Sequence, residues 1–120
     1  MRLKKTPRVY IAGKITGLDR VNALNLFAKA QIIIEDNEYE AVNPFDVCED
    51  TPDKHWSDYM GECHRELLKC DAIVMLPNWH DSRGARIEYA VAREMGILVV
   101  FSYYDEGGDL DSQFIDDIYL

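Results

Sequence analysis

The stretch Asp71-Ala72-Ile73-Val74-Met75-Leu76, then Pro77 to Ser82, then Arg83-Gly84-Ala85-Arg86-Ile87-Glu88-Tyr89-Ala90 and Gly96-Ile97-Leu98-Val99-Val100-Phe101, decides the fold. Two short apolar runs rich in β-branched residues flank a segment of helical periodicity. That order predicts strand, loop, helix, strand, and so a parallel pair of buried strands. In open parallel sheets, ligands bind in the crevice beyond the carboxyl ends of the strands. The polar, Gly-containing loop before the helix is therefore the expected place for a site.

Within the helix, Ala85, Tyr89, Ala92 and Met95 recur on one face, and Glu88 falls on that same face. An unpaired buried charge is costly, so such a carboxylate is neutralised, paired or used. Two readings are open: a perturbed functional carboxylate, or a rim residue paired with Arg86, Arg93 or Lys14.

The 120 residues suit one domain spanning 1–120, with a single core. Hydrophobic residues make up 48% of the chain and the formal net charge is -9. That charge excludes nonspecific binding to nucleic acid or to an anionic membrane, which needs clustered Lys and Arg. It leaves room for a small phosphorylated ligand in a local pocket. Arg2, Lys4, Lys5 and Arg8 crowd the start, whereas Asp105 to Asp117 is acidic, and both read as solvated faces. No apolar run approaches the roughly 20 residues of a membrane span, and the start lacks the apolar core of a signal peptide, so the expected location is cytoplasmic. Cys48, Cys63 and Cys70 match neither a disulfide framework nor a zinc knuckle, and His55, His64 and His80 are scattered. No metal and no cofactor are expected.

Val9-Tyr10-Ile11-Ala12 reads as the first strand, ending in Gly13-Lys14-Ile15-Thr16-Gly17. A strand, a Gly-bracketed loop and then a helix can turn backbone N–H groups toward an anion, with Lys14 and Thr16 adding donors; a plain tight turn is the simpler reading. The loop is neither a nucleoside triphosphate P-loop nor the three-glycine dinucleotide fingerprint. Asp19 is a candidate N-cap for a helix whose Ala23, Leu26, Phe27, Ala30, Ile33 and Ile34 recur to about Asp36. Tyr39 to Asn43 is a short strand stopped by Pro44, and residues 44 to 54 read as a lid-length loop. Trp56, Tyr59, Met60, Cys63, Leu67 and Cys70 form one helical stripe, and Leu110 to Leu120 is a terminal helix or a docked tail. The expected fold class is α/β: a flavodoxin-like or Rossmann-like open parallel sheet of about five strands, with helices on both faces.

Three segments together carry a resemblance: Val9 to Gly17, Trp56-Ser57-Asp58-Tyr59-Met60, and Cys70 to Trp79 with Ser82-Arg83-Gly84-Ala85-Arg86-Ile87-Glu88. From Val9 to Phe101 the chain resembles DUF4406, a phage and bacterial group of small proteins. That group is itself similar to the nucleoside 2-deoxyribosyltransferases and the 2'-deoxynucleoside 5'-phosphate N-hydrolases. The resemblance implies Glu88 as the carboxylate that attacks the anomeric carbon and Tyr10 as an active-site tyrosine. It implies a phosphate held by Ser82 and by the loop Gly13, Lys14, Ile15, Thr16 and Gly17, with Arg83 and Gly84 beside Ser82. The superfamily's second acid falls on Cys63, which cannot accept hydrogen bonds as a carboxylate does. Asp58, Glu62 or Glu66 supplies an acid only in a register shifted by about a turn.

The chemistry is consistent in itself, since cleaving an N-glycosidic bond needs a carboxylate beneath the anomeric carbon and a proton for the departing base. The expected function is therefore hydrolysis or transfer at the N-glycosidic bond of a deoxynucleoside monophosphate. The alternatives are a nucleotide-binding or sensing protein that lost the chemistry at Cys63, and an interaction protein in which Glu88 is merely paired. Trp79 is a candidate wall for a base, or else an anchor at a subunit contact. A homo-oligomer is expected, from the resemblance and from the apolar Phe114, Ile115, Ile118 and Tyr119 of the tail. Small nucleotides or nucleosides are the expected partners, not nucleic acid or a membrane.

Overall fold

The computed structural model describes residues 6–48, 51 and 53–120. Arg2, Lys4, Lys5 and the acidic and proline residues Glu49, Asp50 and Pro52 lie outside the described residues. Four parallel strands form the sheet: β1 (Arg8–Ala12), β2 (Glu40–Val42), β3 (Ala72–Met75) and β4 (Leu98–Phe101), in the order β2-β1-β3-β4. Helices α1 (Arg20–Asp36), α2 (Pro44–Val47), α3 (Trp56–Leu67) and α4 (Arg83–Glu94) connect them. The parallel pairing of β3 and β4 across α4 is the arrangement that the Asp71 to Phe101 stretch implies.

Alternation along β1 sorts the core into two layers. Val9 and Ile11 pack with Phe27, Ala30 and Ile34 of α1, whereas Tyr10 and Ala12 pack with Cys63 and Leu67 of α3 and with Ala85 and Ala92 of α4. β3 is buried at every position, as expected of an inner parallel strand covered on both faces. The chain runs outward from β1 to β2, then crosses to β3 on the other side of β1. This reversal leaves a switch point between the carboxyl ends of β1 and β3, where open α/β sheets bind ligands.

The sheet has four strands, not about five. After β4 the chain makes an isolated bridge between Tyr104 and Leu110 and a 3-10 turn at Ser112–Asp117, instead of another strand. Leu110, Phe114 and Ile118 are buried in the α1 layer, so the tail docks on its own domain, and Tyr119 remains exposed. The expected lid begins as helix α2, because Asn43 Oδ1 accepts the Phe45 N–H at 3.0 Å and Pro44 occupies a first-turn position where no N–H is needed. Asp19 sits at the N-cap of α1 without a side-chain cap bond. Met95 ends α4 with 62% of its surface exposed, so it leaves the apolar face that it shares by periodicity. Arg8 is not a free solvated charge: it pairs with Glu40 at 3.3 Å and with Glu66 at 3.7 Å. Among the described residues, no helix is long and apolar enough to cross a membrane.

Docking of the tail has a measurable consequence. Phe114→Ala should lower the unfolding free energy by about 3 kcal/mol in urea titrations, the usual loss for a buried aromatic. A loss under about 0.5 kcal/mol would mean that the tail contributes no core.

Candidate functional site

Two loops meet at the switch point, one leaving β1 at Gly13 and one leaving β3 at Leu76. Asn78 ties them together by accepting the Lys14 N–H on its Oδ1 at 3.0 Å. The approach is close enough that a Cβ at Gly13 would lie 2.9 Å from Leu76 Cβ and 3.1 Å from Asn78 Oδ1. Glycine at 13 is therefore a packing requirement. Gly17 has φ +84, a left-handed turn position that favours glycine.

Beyond these loops lies a pocket of about 430 Å³, within the range of small-molecule sites. Lys14, Ile15 and Thr16 line one side, Asp81 to Ala85 another, and Trp56, Tyr59 and Met60 of α3 a third, with Tyr10 and Glu88 also on its lining. The carboxyl group is buried, with 6% of the residue exposed, and it accepts a short hydrogen bond from the Tyr10 hydroxyl. None of Arg86, Arg93 and Lys14 is its partner: Arg86 donates to the His80 carbonyl and Arg93 lies over Tyr89. Burial pushes the Glu88 pKa up to about 8, against the downward pull of the Tyr10 hydrogen bond and with a smaller upward push from Cys63. Burial, with Glu88 beside it, also holds the Tyr10 phenol well above its usual value.

At the start of α4, Ser82 is the N-cap and its Oγ accepts the Ala85 N–H at 3.1 Å. Ser82 also lies on the pocket lining. Gly84 admits Met60 against the helix start, since a Cβ there would meet the Met60 Sδ at 3.1 Å. The helix N-terminus, Lys14 and Arg83 give this end of the pocket a positive character, and Asp81 opposes it.

Of the residues singled out by sequence, Tyr10, Gly13, Lys14, Ile15, Thr16, Ser82, Arg83, Gly84 and Glu88 share this pocket, whereas Gly17 and Trp79 are not on its lining. Trp79 stacks instead near Tyr89 and Phe101, at 4.9 and 5.9 Å between ring centres, and packs with Tyr89 against the sheet's α3–α4 layer. Asp58, Glu62 and Glu66 do not line the pocket either; Glu62 pairs with Lys54 at 2.5 Å, and Glu66 with Arg8 and Lys69. Cys63 is buried in the α3 layer, and all three cysteines are free and buried. Sequence reasoning passed over Trp56, Tyr59, Met60, Phe27, Pro44 and Asp81. The apolar stripe that begins at Trp56 fixes a helix face, and its first turn becomes a pocket wall only because α3 starts at the carboxyl end of the sheet.

Residues 7–101 match the family described as Domain of unknown function (DUF4406). No curated protein sequence matches the chain. Three solved structures share its architecture. One comes from a characterisation of a 2-deoxyribosyltransferase of Bacillus psychrosaccharolyticus, at 12% identity and TM-score 0.61, covering 78% of this chain and 70% of that one. A 2-desoxiribosyltransferase from Leishmania mexicana shows 14% identity and TM-score 0.60, with 88% and 78% covered. A Clostridium botulinum CMP N-glycosidase shows 19% identity and TM-score 0.51, with 78% and 66% covered. At these identities the likeness is one of fold.

The buried carboxyl makes a signed prediction about stability. A group raised from 4.5 to about 8 binds its proton more tightly when folded, so its contribution is retained at low pH and lost as pH rises from the unfolded value through about 8. Glu88→Gln should therefore be more stable than the parent above pH 8, by several kcal/mol at about 1.4 kcal/mol per pKa unit, with the margin vanishing near pH 4. Urea unfolding at pH 5, 7 and 9 measures the difference, and parallel pH profiles for the two proteins would refute the burial.

Proposed function

The chain belongs to the DUF4406 family, and from that membership and the geometry of the pocket we propose that it is an enzyme acting on the N-glycosidic bond of deoxynucleoside monophosphates. The observation that carries the reading is Glu88: a carboxyl buried on the lining of a nucleotide-sized pocket and bound by a buried tyrosine. A protein that only had to hold phosphate gains nothing from that carboxyl, and its charged form costs stability.

In this reading, Lys14, Thr16, Ser82, Arg83 and Gly84 hold the phosphate at the start of α4, which fixes the sugar over Glu88. A Glu88 oxygen bonds to the anomeric carbon as the carbon–nitrogen bond breaks, and the bond's electron pair leaves with the base, which takes its proton from water. Water, or an acceptor base, then attacks the sugar ester and releases Glu88. The Tyr10 hydroxyl orients the carboxylate and stabilises its ionised form. The likeness of fold to transferases and to a CMP N-glycosidase supports this class of chemistry. The reading also takes the chain as a single domain over 1–120 that forms a homo-oligomer.

A second reading has its own support: Cys63 is core, with 2% of its surface exposed, and the α3 acids are absent from the lining. A nucleotide-binding protein without turnover would fit that arrangement.

Incubation with a panel of deoxynucleoside monophosphates, followed by chromatography for free base, separates the two. The enzyme reading predicts release that Glu88→Gln lowers by at least about 10³-fold. It also predicts that kcat/KM rises with pH through the Glu88 pKa, about 8, because the nucleophile must be ionised. Binding without release would leave the sensor as the surviving account.

A further inference from the structure

One contact at this pocket lies outside the chemistry above. The guanidinium carbon of Arg83 lies 4.7 Å from the centre of the Trp56 ring. Trp56 opens α3 and Arg83 opens α4, two helices that pack together, and both side chains line the pocket. Trp56 leaves 41% of its surface exposed, so its placement is not explained by core burial. A cation over an indole face is attracted by the ring's negative π surface. An arginine at a pocket rim otherwise samples many rotamers, and fixing it on ligand binding opposes affinity. A guanidinium held over a ring face still has N–H groups with which to grip a phosphate. Asp81 on the same lining repels a dianion, so the position of the opposing cation decides whether a phosphate is accepted.

We propose that Trp56 is a positioning residue that holds Arg83 at the pocket for a phosphomonoester, so that the protein discriminates a nucleoside 5'-monophosphate from the corresponding nucleoside. This rests on the reading that the pocket takes a nucleotide, but not on turnover.

The test is calorimetric binding of the four 2'-deoxynucleoside 5'-monophosphates and of the four matching nucleosides to the parent, Trp56→Leu, Trp56→Phe, Arg83→Gln and the double variant Trp56→Leu/Arg83→Gln. Urea unfolding confirms that each variant folds. Trp56→Leu should weaken monophosphate binding about tenfold and nucleoside binding less than twofold, and Trp56→Phe should recover most of the loss. Added to Arg83→Gln, it should cost little more, since the two residues act as one unit. Equal losses for monophosphate and nucleoside would make Trp56 a platform for the base and overturn the proposal, as would no loss or full additivity with Arg83→Gln. Failure of every monophosphate to bind the parent overturns both this proposal and the nucleotide reading. Binding without base release removes the enzyme and leaves the positioning role standing.

Discussion

The arrangement depends on burying one carboxyl group beside one phenol. Glu88 on α4 and Tyr10 on β1 meet in the layer between the sheet and the α3–α4 face, away from bulk water, and each perturbs the other. Burial disfavours the carboxylate and the Tyr10 hydroxyl partly restores it. The result is a group whose charge changes near pH 8, well above the ordinary glutamate range. Such a group destabilises the fold at high pH, and the surrounding elements hold it: Ala85 and Ala92 let α4 pack closely on the sheet, and Tyr10 sits on an inner strand paired on both sides.

The same close packing builds the rest of the pocket. Gly13 lets the β1 exit press against Leu76, and Asn78 locks the two loops by bonding the Lys14 backbone. Ser82 caps α4 and so aims the helix start at the space those loops leave. With α3 starting at the same end of the sheet, Trp56, Tyr59 and Met60 become a wall, and the pocket combines an apolar side, a cationic end and a protonatable interior.

Much of this was legible in the sequence, for identifiable reasons. Short apolar runs rich in β-branched residues marked β3 and β4, Val9 to Ala12 marked β1, and the helical interval between Asp71 and Phe101 forced β3 and β4 to be parallel. Glu88 stood out because a carboxylate at an apolar position needs an explanation; Tyr10 entered only through the family resemblance, since it lies 78 residues away and no local pattern pairs the two. Trp79 was misplaced because its ring packs with Tyr89 off the pocket, a geometry that side-chain type does not encode. Trp56 was legible as the start of an apolar helical stripe but not as a pocket wall, since helical spacing gives the face but not which end of the helix is covered. The expected sheet of about five strands exceeded the four that the apolar runs mark, whereas the tail, read as a helix or a docked segment, buries Leu110, Phe114 and Ile118 in the α1 layer.

The central claim is that Glu88 is a buried carboxyl held by Tyr10 and protonated at neutral pH. Carbon-13 NMR of the side-chain carboxyl in protein labelled at glutamate, assigned with Glu88→Gln, follows that protonation directly. The account predicts a resonance titrating with a midpoint near 8, moving further upward in Tyr10→Phe, where the stabilising donor is gone. A Glu88 resonance titrating near 4.5, the ordinary value, and indifferent to Tyr10 would contradict it.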